Sequence, residues 1–162
     1  MPNNEDFDRI GLIALIRKEF KLPWNGLHGA NHWARVLHHG KHIGRIRNAD
    51  PLVVELFGLL HDSCRLNDGR DAGHGSRAAE FAHTINGDYF ALTSLQLDYL
   101  CFALHYHSDG EVSTNTTIQT CWDADRLDLV RLHKDPHPKF LSEIAATRID
   151  RAWALLDRKR RS

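Results

Sequence analysis

The feature that most constrains this chain is an apolar run, Leu52 to Leu60, that ends directly in His61-Asp62. Glu55 is the only charge in the run, and such a run among good helix formers predicts a helix buried on most of its surface. A neutral imidazole and an ionised carboxylate beside an apolar core are costly unless a positive group compensates them. Two interpretations follow: a buried His-Asp hydrogen bond that caps the helix, or a divalent cation that both side chains bind.

Helical periodicity extends over the rest of the chain. Apolar residues recur near a 3.6-residue period in further segments, and no strand alternation, hairpin between β-branched runs or internal repeat interrupts them. The pattern predicts helices at about 7–20, 29–47, 52–64, 76–85, 94–107, 117–132 and from 142 to about 160. The sequence therefore predicts one all-α domain over residues 1–162, a bundle of about seven helices.

Composition excludes several classes of protein. The 42% hydrophobic and 26% charged residues are ordinary for a globular domain and argue against a disordered chain. Lys plus Arg and Asp plus Glu are 21 each, so no overall field attracts long nucleic acid or an acidic membrane. No apolar run approaches the roughly 18 residues of a bilayer span, and the polar, acidic start is not a signal peptide. Three cysteines without CxxC spacing indicate reduced thiols, and we expect a cytoplasmic protein.

Two local features stand out from this balance. The basic end of the chain, Arg158 to Arg161, fits either a solvated tail that complements a helix C-terminus or a phosphate-binding segment. The chain also has twelve histidines, many of them near predicted helix ends and beside carboxylates. Six of these are predicted to be surface or packing residues: His38, His39, His42, His83, His133 and His137.

Three groups are candidates to join His61 and Asp62. His32 lies on the second predicted helix, and His28, four residues earlier, shares its face if that helix reaches back. Asp125 lies on the predicted inner side of an otherwise apolar helix, where a carboxylate needs a metal or an arginine. His32, His61, Asp62 and Asp125 together provide two imidazoles and two carboxylates. This donor set suits Zn, Mn, Fe, Co or Ni and leaves positions for water and a phosphate oxygen.

In this order, His32, His61-Asp62 and Ala124-Asp125-Arg126-Leu127 resemble the H…HD…D signature of the HD-domain metal-dependent phosphohydrolase superfamily. The resemblance covers residues 28–128, which is most of the chain. It implies a helical domain that uses a divalent transition metal to hydrolyse phosphate esters or anhydrides, most often of nucleotides.

Two further segments resemble the binuclear branch of that superfamily, which includes dinucleoside tetraphosphate hydrolases. The segment from Gly73 to Ala79 is similar to its HG…GA motif, and the segment from Ala103 to Ser108 to its AI-x-x-H motif. The resemblance implies that His74 and His107, rather than His105, bind a second ion bridged through Asp62. Because His74 follows Asp62 closely through a loop rich in Arg and Asp, one ion and two ions both stay open, and with one ion His74 would contact the substrate phosphate.

Several residues are candidates for the chemistry. A bound metal would activate a water and polarise the phosphoryl oxygen, with Asp62 as a catalytic residue. Asp68 would orient the water or transfer a proton, or else it caps the loop. A guanidinium can donate two parallel hydrogen bonds to one phosphate. Each candidate arginine also has an alternative role as a surface or salt-bridging residue. The substrate-binding candidates are Arg65, Arg77, Arg126, His28 and, for stacking a nucleobase, Trp24.

These residues predict a phosphohydrolase that acts on a small nucleotide or phosphate ester. Two other functions stay open: an HD-fold diiron oxygenase, and a non-catalytic metal- or nucleotide-binding regulator. The Arg-rich loop beside His61-Asp62 favours the phosphohydrolase because it calls for an anion. The sequence has no Gly-rich phosphate loop and no extended basic face, which argues against long nucleic acid. A homo-oligomer is compatible with the sequence.

Overall fold

The computed structural model describes residues 7–160, with side chains up to Arg158, so the acidic start and part of the basic end lie outside the described residues. Within residues 7–160 there are no strands, only two isolated bridges at Phe90, and the predicted all-α class is confirmed. Two short 3₁₀ turns, Asp128–Leu132 and Pro138–Phe140, accompany the α-helices. The helices are α1 (Arg9–Glu19), α2 (Ala30–Arg47), α3 (Pro51–Leu60), α4 (His74–Ile85), α5 (Ser94–Tyr106), α6 (Thr116–Leu127), α7 (Glu143–Ala146) and α8 (Ile149–Arg160).

Side-chain caps determine where three of these helices begin. The Asp50 carboxylate accepts hydrogen bonds from two backbone N–H groups at the start of α3, with Pro51 at the first helical position. Thr93 and Gln96 form a capping box at the start of α5, and the side chain of Asn115 accepts a backbone N–H of α6. Candidate site residues lie in or directly after the last turns of these helices, so the caps help to set their position.

Three predicted helices differ from the structure: two of them end earlier, and the third is divided into two helices. The predicted helix 52–64 ends earlier, at Leu60, because the Ser63 hydroxyl and the Ser63 N–H both donate to the Leu60 carbonyl and close a turn. His61-Asp62 therefore lies in this turn and not within a helix. The predicted helix 117–132 tightens into a 3₁₀ turn at Asp128.

The predicted C-terminal helix 142–160 is two helices in the structure. After α7, the hydroxyl of Thr147 donates to the Ile144 carbonyl, and the N–H of Arg148 donates to the carbonyl of Ala145, three residues earlier. These bonds replace the regular four-residue helical pattern and end α7. Arg148, which the sequence predicts to be inside a helix, therefore lies at the junction before α8.

Helix α3 lies at the centre of the core. It packs against α2, α5 and α6, while α4 pairs with α5. Val53, Leu56, Phe57 and Leu60 are all completely buried, as the apolar run predicts. In the described part of the chain, no helix has both the length and the apolarity that a membrane crossing requires.

Close contact between α4 and α5 depends on Gly75. A Cβ at this position would lie 2.6 Å from the Leu104 carbonyl oxygen and 2.7 Å from that of His105, both of them backbone atoms. Only glycine lets the two helices approach this closely. The contact also sets the separation between His74, at the start of α4, and His107, directly after α5.

We expect Gly75→Ala to lower the free energy of unfolding by roughly 2 kcal/mol. Overpacking costs about 1–3 kcal/mol, here against rigid backbone, and exceeds the roughly 0.5–1 kcal/mol gained in helix propensity. Urea unfolding followed by circular dichroism measures the change. Gly69→Ala is the matched control, since its nearest neighbour is the end of the Asn67 side chain at 3.3 Å. Equal stability of the two variants would contradict the close-approach argument.

Candidate metal centre

Four potential ligand atoms from three separate parts of the chain converge at the first cluster. The Nε2 atoms of His32 and His61 lie 2.9 Å apart. Asp62 Oδ2 lies 3.4 Å from the His32 nitrogen and 3.7 Å from the His61 nitrogen. Asp125 Oδ1 lies 3.4 and 3.5 Å from the same two atoms. Both imidazoles and Asp62 are buried, while the Asp125 side chain keeps 19% exposure.

The second cluster lies on the other oxygen of the same carboxylate. The Nε2 atoms of His74 and His107 are 2.8 Å apart, and Asp62 Oδ1 is 3.4 Å from the first and 3.6 Å from the second. His107 is buried and His105 is exposed, so it is His107 that faces Asp62. Asp62 therefore joins two groups of buried ligand atoms, one through each oxygen.

Every imidazole in the two clusters is oriented by a bond at its other nitrogen. Nδ1 of His32 donates to Asp128 Oδ2 at 2.7 Å. Nδ1 of His61 lies 3.2 Å from two backbone carbonyls of α3, and Nδ1 of His107 donates to the Leu104 carbonyl at 2.6 Å. Nδ1 of His74 donates to the Asp71 carbonyl. Because carbonyls and carboxylates only accept, Nδ1 holds the proton in each neutral ring and Nε2 presents a lone pair.

This arrangement fits a bound cation. Two lone pairs that face each other at under 3 Å repel unless a proton or a metal ion lies between them. Two imidazoles with one or two carboxylates are also the ordinary ligands of divalent transition metals. The residues present can therefore hold one ion at His32, His61 and Asp62, and one at Asp62, His74 and His107.

The electrostatics of the cluster favour positive charge at these points. Burial alone would lower the pKa of His32, but hydrogen bonds with Asp125, Asp128 and Asp62 raise it to about 9. Burial alone would raise the pKa of Asp62, but the charge of His61 and hydrogen bonds from His107 and other histidines hold it well below its usual range. The carboxylates therefore stay ionised and attract a cation.

Asp128 orients the first cluster, a role that sequence reasoning missed. It is completely buried, and its two oxygens accept hydrogen bonds from Nε and Nη2 of Arg35 at 2.6 and 3.0 Å. The signal was its spacing: Asp128 follows Asp125 by three residues, so both reach the face that meets α2. Asp123 points elsewhere and accepts from the backbone and hydroxyl of Ser142.

A cavity of about 300 Å³ opens beside the two clusters. Asp62, Asp125 and His107 lie in its wall. Basic residues from four parts of the chain also line it: His28, Arg65, Arg126, Arg131 and His137. Arg131, in the 3₁₀ turn after α6, and His137, in the irregular segment that follows it, are site neighbours that the sequence did not indicate. A larger cavity of about 750 Å³ lies elsewhere, between α2 and α3.

Two of the predicted substrate-binding residues touch the centre directly. Arg65 Nε donates to Asp62 Oδ1 at 3.0 Å. Nδ1 of His28 lies 3.0 Å from Asp62 Oδ2, and its Nε2 lies 3.1 Å from the Asp68 carbonyl oxygen. These contacts, together with Arg131 Nη2 at 3.4 Å from His28 Nδ1, hold the ring beside the centre.

Three other candidates are not among the described residues that line this cavity. Arg77 is bound to both oxygens of Asp71 at 2.7 Å and to the Cys64 carbonyl. Trp24 packs edge-on against Trp33, with ring centroids 5.3 Å apart. Asp68 is exposed, and its backbone rather than its side chain contacts His28.

Metal titration tests the shared role of Asp62. We expect calorimetry with Zn²⁺ or Mn²⁺ to show two ions per chain, one for His74→Ala and none for Asp62→Ala at micromolar affinity, because Asp62 belongs to both clusters. His83→Ala is the control, since this histidine is exposed on α4. A single ion in the wild type, or two in Asp62→Ala, would contradict the assignment.

Comparison with known proteins shows the fold. No protein-family model matches the sequence, and no curated protein matches it. Among solved structures, the chain is similar to the crystal structure of a predicted HD superfamily hydrolase from an uncultured Thermotogales bacterium. The TM-score is 0.71 at 21% sequence identity, over 96% of this chain and 90% of that one. The protein therefore shares the helical fold of that structure, in agreement with the fold that the order of its histidines and aspartates predicts.

Proposed function

We propose that this protein is a metal-dependent phosphohydrolase that cleaves a phosphate ester or anhydride of a small nucleotide. The observation that carries the proposal is the position of Asp62. Its two oxygens each face a pair of imidazole nitrogens, and its side chain lines a cavity whose other walls are rich in arginine. A cation-binding site in the wall of a basic cavity suits an anionic substrate.

Arg126 supports a phosphate as that anion. Its Nη1 donates to the Phe140 carbonyl at 2.7 Å, which leaves Nη2 buried with no hydrogen-bond partner. A buried guanidinium N–H without an acceptor is costly, and a phosphate oxygen in the cavity would satisfy it. Arg65 and Arg131 line the same cavity and add positive charge.

The chain's own residues supply distinct parts of the chemistry. Divalent ions, when bound, lower the pKa of a coordinated water and polarise the phosphoryl oxygen. Asp62 and Asp125 stay ionised at the reaction centre, and Arg126 neutralises charge that develops on the phosphoryl oxygens. His28 also lines the cavity, and its Nδ1 lies 3.0 Å from Asp62 Oδ2, so the ring helps to orient that carboxylate.

Part of the cavity wall is apolar and suits part of a nucleoside. Leu129, Leu132 and the ring of Phe140 contribute apolar surface there. At about 300 Å³ the cavity is at the small end of ligand sites, so it encloses a phosphate and only part of a nucleoside. We propose Phe140 as the stacking partner of the base, a role that the sequence predicts for Trp24.

A phosphate-release screen tests the proposed function. Nucleoside mono-, di- and triphosphates and dinucleoside polyphosphates are each incubated with Mn²⁺, Co²⁺, Ni²⁺, Zn²⁺ or Fe²⁺. We expect turnover with at least one pair and its loss in Asp62→Ala and Asp125→Ala, folded as judged by circular dichroism. Activity that requires oxygen would instead favour the diiron oxygenase, and nucleotide binding without turnover would favour a regulator. Full turnover in both folded variants would show that the site is elsewhere.

Arg126→Gln tests the anion-binding role separately from metal binding. Loss of a charge-assisted hydrogen bond to the phosphoryl group should lower kcat/KM by about 10- to 100-fold. The number of bound metal ions should stay unchanged, since Arg126 contacts neither cluster's ligand nitrogens. Arg45→Gln, an exposed arginine on α2, is the matched control. Unchanged kcat/KM in Arg126→Gln would contradict the role.

A further inference from the structure

A second basic pocket lies between the later turns of α2 and the C-terminal helix. It has a volume of about 190 Å³ and is distinct from the cavity at the metal centre. Ala154 and Leu155 form its apolar surface, and no acidic residue is among the described residues that line it. Its polar lining consists of three histidines and three arginines: His38, His39, His42, Arg148, Arg151 and Arg158.

The pocket contains buried polar atoms without partners. His39 is 1% exposed, and neither of its ring nitrogens has a hydrogen-bond partner within the protein. The Nε atom of Arg148, at the junction before α8, is likewise buried and unpartnered. Buried polar groups are almost always satisfied, so two such residues lining one pocket indicate a ligand with several acceptor atoms.

Positive charge accumulates around these atoms. Burial lowers the pKa of His38, and the charges of Arg148 and Arg151 lower it further. Burial also lowers the pKa of His39 to about 4, although the charge of Asp128 opposes this. Asp128 is not among the residues that line the pocket, and its oxygens accept from His32 and Arg35. An anion in the pocket would relieve both the repulsion and the missing hydrogen bonds.

We propose that this pocket binds a phosphate group, held by Arg148, Arg151 and Arg158 together with His39. Three guanidinium groups provide donors for the oxygens of one phosphate. The volume is below the roughly 300–1,000 Å³ of sites that enclose a whole drug-sized ligand. The phosphate is therefore either free inorganic phosphate or the phosphate of a mononucleotide whose sugar and base remain outside.

Arg158, the first residue of the basic end of the chain, lines this pocket. The sequence leaves Arg158 to Arg161 open between a solvated tail and a phosphate-binding segment. In the structure Arg158 is exposed and lies in the pocket wall, which favours the phosphate-binding interpretation for this residue. His39 follows His32 by seven residues on α2, which is about 10 Å along the helix axis. The phosphate site is thus separate from the metal centre but on the same helix.

Histidine-selective NMR of the full chain tests the proposal. The probes are inorganic phosphate, adenosine monophosphate and adenosine, each titrated at constant pH and ionic strength. We expect saturable shifts of the His38, His39 and His42 ring signals with the first two probes and none with adenosine. Tighter binding of the mononucleotide identifies a nucleotide as the source of the phosphate, and equal binding identifies free phosphate. Shifts confined to the metal-centre histidines, or equal shifts with adenosine, would overturn the proposal.

Exposed arginines allow a variant that leaves the core intact. Arg151→Gln/Arg158→Gln removes two positive charges from the pocket wall, and both residues are exposed. We expect the Kd for phosphate, followed at the His39 ring, to rise at least tenfold. Arg17→Gln/Lys18→Gln removes the same charge from the exposed face of α1 and should leave the Kd unchanged. Equal affinity in the wild type and the pocket variant would overturn the proposal.

Discussion

The structure depends on the ionised carboxylate of Asp62, which is only 2% exposed at the end of the most apolar helix. Burial of an unpaired carboxylate is prohibitive, so the surrounding elements must bring positive or donor groups to it. His28, Arg65 and the four clustered imidazoles come from α2, α4, the end of α5 and the flanking loops. Their convergence around one side chain explains why these helices pack as closely as they do around α3.

Helix α2 carries a line of buried polar residues that also need hydrogen-bond partners. His32, Arg35 and His39 are three and four residues apart, so they share the helix face that meets Asp128. Asp128 accepts hydrogen bonds from the first two. His39 is left without a partner at the far end of the line, where the second basic pocket begins. One helix face therefore carries both the metal centre and the proposed phosphate site.

Periodicity and motif order predicted those features of the structure that depend on local sequence. The helices and the order of His32, His61-Asp62 and Asp125 follow from spacing, because buried faces and ligands recur at helical intervals. The partner of each arginine does not follow, because it depends on tertiary contacts. Arg77 pairs with Asp71, only six residues earlier, whereas Arg131 contacts His28, which is 103 residues earlier. No pattern in the chain distinguishes these two outcomes.

A neutral chain can still attract anions, because several of its acidic side chains are paired inside the protein and do not line the cavities. The sequence has 21 basic and 21 acidic residues, which excludes a long-range field. Within the described residues, however, Asp71 is paired with Arg77, Asp128 with Arg35, and Asp123 accepts from Gln119 and Ser142. Each of these carboxylates is held by the fold and faces neither cavity. The arginines that remain, above all Arg126 with its unpartnered Nη2, then present local positive charge to a phosphate.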